Sequence, residues 1–318
     1  MTTAGFLLAL LSAVLFGVYA LPRRHSRLGP WPYTLWMALG FTVPALCLAA
    51  VLHVGLGEPL PHGAALGRVA EAGTVWAVAN IAYVLAIDAA GVARATAVKN
   101  LTGLFGTLFG VWLLHEVLAP WAVAIAFLGS AAVAASAVVL GRLTAPDAES
   151  AVASESARTA DAGRARALGT AMGLVAAVGL GLYLVPGLLA MRAGVSSPMF
   201  VATFATAAGL ASALAAGFRF ALGGRRGAQG PGGSGAGARA PLLAGVLWLG
   251  GSLAVTPAAQ MAGMAIAWPI SQLGFFLILA YAVVRLREVD WATGKRSVYL
   301  ASALTLAGVV LLGVARSA

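Results

Sequence analysis

The sequence predicts an all-α membrane protein, with ten transmembrane helices in two inverted five-helix repeats. Three observations carry that expectation: an apolar composition, ten apolar runs of spanning length, and an internal duplication. Of 318 residues, 61% are apolar and only 9% are charged, with a mean hydropathy of +0.93. A water-soluble domain needs far more polar surface, so lipid is the expected solvent.

A helix crosses roughly 30 Å of hydrocarbon with about 20 apolar residues. By that measure the spans fall near 4–21, 33–53, 73–90, 94–114, 119–140, 168–190, 198–218, 241–261, 266–286 and 296–315. The first is read as a retained helix rather than a signal peptide, because Arg23, Arg24 and Arg27 follow it and no basic segment precedes it. Pro44, Pro257 and Pro269 lie inside or near the starts of spans, where each frees a backbone carbonyl and permits a kink. Two stretches are not membrane. Residues 142–166 are rich in Ala, Ser and acids with scattered Arg, and 219–240 are Gly-rich with Arg219, Arg225, Arg226 and Arg239. Both read as flexible segments with no core to bury. The expected organisation is a first repeat over 1–141, a cytoplasmic linker over 142–166, and a second repeat over 167–318.

The duplication shows at two offsets. At 164 residues, Gly5, Leu10, Ala13, Val14, Gly17, Tyr19 and Pro22 recur as Gly169, Leu174, Ala177, Val178, Gly181, Tyr183 and Pro186. At 172 residues, Trp76, Gly91, Leu101, Glu116 and Val117 recur as Trp248, Gly263, Leu273, Glu288 and Val289. Five spans per repeat is an odd number, so the second copy must enter from the opposite face. Such a duplication is the usual mark of a secondary transporter, with its substrate site between the repeats. The net charge of +10 is distributed as topology: connections 1–2, 3–4, 5–6, 7–8 and 9–10 hold 16 of the 20 Lys and Arg. That places those connections inside a cell membrane and both termini outside. It also argues against nucleic acid as the partner.

Polar groups within spans are the candidate functional residues, because each ionisable one costs several kcal/mol unless paired or hydrated. Asp88 and Lys99 flank the short turn between spans 3 and 4. They read either as a structural ion pair or as a protonatable carboxylate beside a cation that meets an anionic substrate group. Lys99 continues to Gly103, Gly106 and Gly110, a small-residue stripe suited to close helix packing. Asn100 and Gln272 occupy equivalent positions, with Ser271 beside the latter, and Asn80 is matched by Ser252. These amides and hydroxyls suit either sugar hydroxyls or interhelical hydrogen bonds. Tyr19 and Tyr183 read as a symmetric pair, substrate-binding or interfacial. Glu116 and Glu288 end spans 4 and 9 and read as capping, gating or proton-coupling groups. Trp31, Trp76, Trp121 and Trp291 lie near span ends and read as interfacial anchors. His25, His53, His62 and His115 have no metal-ligand spacing, and no nucleophile–base set or phosphate loop is visible, so neither a cofactor nor enzymatic catalysis is expected. The single cysteine, Cys47, excludes an intramolecular disulfide.

Two segments, GVARATAVKNLTGLFGTLFGVWLLHEV at 91–117 and AWPISQLGFFLILAYAVVRLREV at 267–289, resemble the paired signatures of the glucose/ribose porter family, within the drug/metabolite transporter superfamily. The match rests on Ser271-Gln272-Leu273-Gly274, on the two glutamates, and on Pro22-Arg23-Arg24 after the first helix. The resemblance implies a ten-helix carrier that imports a small sugar such as glucose, ribose or rhamnose, with a proton. One departure is visible: Ala97-Val98-Lys99 stands where a Pro-Ile-Ser-like run would be expected. A fixed charge there favours an acidic sugar or other anion, unless Asp88 neutralises it. The expectation is therefore proton-coupled uptake of a small sugar or sugar-derived metabolite by alternating access. Substrate would meet Tyr19, Asn80, Lys99, Asn100, Tyr183, Ser271 and Gln272, and the proton Asp88, Glu116 or Glu288. An exporter or exchanger of small organic ions on the same fold is the alternative. A non-transporting membrane scaffold would need an ordered soluble domain or tail that this sequence lacks. A homo-oligomer is left open, since glycine stripes serve dimers as well as intramolecular packing.

Overall fold

A computed structural model describes residues 3–26, 28–116, 119–141, 155–223, 237–281 and 291–317. Every regular element among them is a helix. In chain order these are α1 (Thr3–Val18), α2 (Leu21–His25), α3 (Pro30–Ala50), α4 (Gly63–Ala90), α5 (Val92–Lys99), α6 (Thr102–Trp112), α7 (Pro120–Gly141), α8 (Glu155–Leu182), α9 (Leu184–Arg192), α10 (Ser197–Gly223), α11 (Arg239–Ala262), α12 (Met264–Ser271), α13 (Phe275–Tyr281) and α14 (Trp291–Ser317). A π-helical turn, Val51–Gly55, extends α3, and a 3₁₀ turn, Gln272–Gly274, joins α12 to α13.

Eight helices, counting α1–α2 and α8–α9 as one each, are long and apolar enough to cross a membrane. The chain is a multi-pass membrane protein. The segments expected to be continuous spans over 94–114 and 266–286 are instead interrupted. Both begin after a glycine at positive φ (Gly91 at 79°, Gly263 at 82°), run eight residues, and break at Asn100–Leu101 and at Gln272–Gly274. A side chain at either glycine would be strained in that backbone region. α8 begins at Glu155, inside the stretch expected to be linker. Its Ala- and Arg-rich opening has high intrinsic helix propensity.

Prolines place two further breaks. Pro22 and Pro186 cannot donate to the carbonyls four residues earlier, those of Val18 and Leu182. The helices stop at those two residues, which leaves Tyr19 and Tyr183 at the bends. Pro269 likewise frees the carbonyl of Ala265 within α12. The Thr107 hydroxyl donates to that oxygen at 2.9 Å and forms a 2.5 Å hydrogen bond with the Ser130 hydroxyl. A freed carbonyl in a membrane interior needs such a partner.

Packing between the halves is reciprocal. α1 lies against α11 and α8 against α4; α3 lies against α11 and α10 against α4; α1 meets α12 as α8 meets α5. The helices α3 and α10, and α7 and α14, which the offsets make equivalent, also touch, and α6 packs against α12. Small residues set these approaches. The stripe Gly103, Gly106 and Gly110 faces α12 as expected: a Cβ there would meet Pro269 Cα, the Trp268 ring and the Ala265 amide. Gly17 of α1 lies directly on Gly274, where an added Cβ at either position would overlap backbone.

Candidate functional site

The two interrupted helices meet inside the bundle. α5 enters from one end and carries Lys99 about 12 Å inward, at 1.5 Å per residue. Its antiparallel seat on α4 is fixed by the Tyr83 hydroxyl, 2.6 Å from Thr96 Oγ1. α12 enters after Gly263 and delivers Ser271 and Gln272 to the same place. There Lys99 Nζ donates to Gln272 Oε1 at 2.8 Å, and Gln272 Nε2 donates to Ser271 Oγ at 2.9 Å. Ser271 in turn donates to the Trp268 carbonyl at 2.6 Å, and Asn100 Nδ2 reaches the Gln272 carbonyl at 3.5 Å. Lys99 also stands 5.9 Å from the centre of the Tyr83 ring, within range of a cation–π attraction.

Around this polar cluster lies a cavity lined by Phe16, Tyr19, Trp76, Lys99, Thr102, Leu180, Tyr183, Trp248, Trp268 and Gln272. Three pairs of these occupy equivalent positions in the two halves: Phe16 with Leu180, Tyr19 with Tyr183, and Trp76 with Trp248. The two tryptophan rings pack with centroids 4.1 Å apart, and Tyr183 stands edge-on to Trp268 at 5.5 Å. The indole nitrogens of Trp76 and Trp268 are buried with no hydrogen-bond partner. The free volume is about 20 Å³, room for about one water molecule. A monosaccharide could enter only if the aromatic walls part. A larger groove of about 640 Å³ lies between α3 and α10, lined mainly by apolar groups such as Trp36, Leu39 and Leu210, a lining unsuited to a polar solute.

Five of the expected site residues cluster here: Tyr19, Lys99, Tyr183 and Gln272 line the cavity, and Ser271 supports Gln272. Asn100 lies just behind them. Asn80 does not line the cavity; it is buried against the sulfur of Met37 at 3.9 Å. Trp76 is a correction: it is 1% exposed at the centre of the molecule, not an interfacial anchor. Trp248, Trp268, Phe16, Leu180 and Thr102 were not anticipated. The pairing of Trp76 with Trp248 at a fixed offset was the signal available for the first of these.

The expected Asp88–Lys99 pair is a second correction. Asp88 Oδ1 accepts from Arg23 Nη2 at 2.5 Å and from Nε at 3.0 Å. Arg23 also donates to the Leu28 carbonyl and covers the Tyr33 ring. Asp88 stays at the end of α4, whereas Lys99 lies two turns deeper on α5, so the two do not meet. At the opposite end of the bundle Glu116 reaches across to α12. Its two carboxylate oxygens accept from the backbone N–H groups of Met264 and Ala265, at 2.6 and 3.1 Å. Those are unpaired donors at a helix start, where a negative charge is stabilised. Glu288 lies outside the described residues. Among the described residues no group of His, Cys, Asp and Glu could hold a metal ion.

Residues 1–143 match the family model described as Sugar transport protein. That match supports assignment to a sugar transporter family. The matched region carries Lys99, Tyr19 and Trp76, and their equivalents lie in the second half, beyond it. No curated protein matches the chain. A solved structure titled "Crystal structure of protein" is similar at 19% identity, covering 100% of this chain and 99% of that one, with a TM-score of 0.67. At that identity the likeness shows the fold alone.

Proposed function

We propose that the protein is a proton-coupled carrier that takes up a small sugar or sugar-derived metabolite by alternating access. The observation that carries this reading is the central cavity, where an amide and an ammonium lie among aromatic faces contributed by both halves. Aromatic rings suit the C–H faces of a sugar, while Gln272 and Lys99 suit its oxygens. The chain would cross the membrane ten times, the broken segments α5–α6 and α12–α13 supplying two of the crossings. The halves would then be inverted repeats, with both termini outside. Broken helices that meet at mid-membrane are a usual place for a transporter to bind its substrate.

In this reading the closed cavity is an occluded state, and rocking of the halves opens it to one side at a time. Glu116 ties the first half to α12, whose far end carries Ser271 and Gln272. A proton on Glu116 would remove the charge that two backbone N–H groups hold, loosening α12 at one end and the substrate ligands at the other. Asp88, held by Arg23 at the inner end, is the second candidate for the proton, and Glu288 the third. Purified protein in liposomes should accumulate labelled sugar faster under an inward proton gradient. Uptake indifferent to that gradient would remove the proton from the mechanism, and absence of any sugar flux would remove the carrier reading itself.

A further inference from the structure

Resting on that carrier reading, we infer that the substrate is a sugar acid, a monosaccharide ring whose carboxylate meets the Lys99 ammonium. Two cations are buried in the described bundle, Arg23 at 8% and Lys99 at 7% exposure. Arg23 is matched by Asp88. Among the described residues no carboxylate pairs with Lys99, whose hydrogen bond goes to the neutral amide oxygen of Gln272. A buried charge without a counter-charge is costly, because low-dielectric surroundings do not replace its hydration. Lys99 ends α5, where the helix dipole offers a partial negative charge, which is less than a full counter-charge. The starts of α6 and α13, after two and three intervening residues, bring partial positive charges close by and offset part of it. An anionic substrate would supply the full counter-charge.

The neighbouring groups define the rest of the ligand. Trp76 and Trp268 line the same cavity and carry buried indole N–H groups that donate to nothing. An indole N–H can only donate, and an ammonium can only donate. The residues lining the cavity therefore carry three donor groups suited to a guest rich in acceptor oxygens, and aromatic faces suited to its ring. One ammonium balances one carboxylate. A phosphate ester carries about −1.5 to −2 charges at neutral pH and would leave charge uncompensated, so a hexuronate fits better than a sugar phosphate.

Thermal stabilisation of the purified full chain tests this, with glucuronate, gluconate, glucose, ribose, glucose 6-phosphate and acetate compared at equal concentration and ionic strength. Glucuronate should stabilise most, since a ligand of the folded state raises its apparent stability by mass action. Lys99→Gln should lower the ratio of uronate to glucose affinity by about tenfold or more, the usual scale for losing one side of a buried charge pair. Trp76→Phe keeps an aromatic face and removes the N–H, and should weaken uronate binding by about threefold to tenfold. If glucose and glucuronate stabilise equally, or Lys99→Gln leaves the ratio unchanged, the sugar-acid inference is overturned while the sugar-carrier reading stands. Stronger stabilisation by glucose 6-phosphate overturns the carboxylate, and stronger stabilisation by acetate or open-chain gluconate overturns the ring. If no compound binds, both readings fall together. Should Lys99→Gln not fold, the wild-type panel and Trp76→Phe decide the matter.

Discussion

Glu116 shows how much one side chain can do at a helix start. Its carboxylate serves two N–H groups that α12 cannot satisfy internally, next to Gly263, whose positive φ allows the sharp entry. Glu116→Ala should therefore destabilise the folded protein by about 0.5–2 kcal/mol, the range for removing a helix cap, read as a lower midpoint of thermal unfolding in detergent. The same variant should also lose coupling of uptake to a proton gradient if Glu116 is the coupling group. A stability loss with coupling intact would leave Glu116 as a cap alone. Arg23 and Asp88 make a different kind of contact. The Asp88 side chain is a third exposed, so water screens the pair and its contribution to stability is modest.

At the scale of the helices, glycine and proline decide where elements touch and where they stop. Pro22 and Pro186 stop α1 and α8 one residue short of a tyrosine, and both tyrosines turn into the cavity. Gly274 allows α1 to lie on the 3₁₀ turn beside Gln272, where an added Cβ would come within 1.9 Å of the Ala13 carbonyl oxygen. Gly274→Ala should force these backbones apart at about 1–3 kcal/mol, as overpacking does, and should shift Gln272 with them. Gly217 is the control, since an added Cβ there meets nothing within 4 Å. Thermal unfolding should separate the two, with Gly217→Ala at or above wild type. Equal midpoints would mean that the α1 contact is not tight.

For the whole molecule, the closed aromatic cavity predicts that access must change during a cycle. Cys47 is the single cysteine and is exposed on α3, so Cys47→Ser should be tolerated and provide a background without thiols. In that background Tyr183→Cys should react with a membrane-impermeant thiol reagent only while the cavity is open, and saturating substrate should change the rate severalfold. A rate unaffected by any transported substrate would argue against a site between the halves. Much of this frame was legible in the residues alone. Span-length apolar runs report the solvent directly, and the offsets of 164 and 172 reported which helices would be equivalent. The interruptions of α5–α6 and α12–α13 were not legible, because an apolar run of spanning length has the same composition whether or not its hydrogen-bond ladder is broken. Nor were the roles of Trp76 and Asp88. Both were assigned from distance to a span end, which is a statement about depth along one helix and not about what faces it.

By itself, then, the sequence determined the apolar solvent, the helical class, the chain's internal duplication of residues and the short set of polar residues worth considering. Those are sums over neighbouring residues, or comparisons of the chain with itself. Only the tertiary structure decided that Asp88 belongs to Arg23, that Lys99 meets Gln272 and no described carboxylate, and that two tryptophans from opposite halves pack at the centre. Such partnerships depend on the depth and rotation of each helix. Those are set by where prolines break the hydrogen bonding and how closely glycines let backbones approach, neither of which is local to the residues that finally touch.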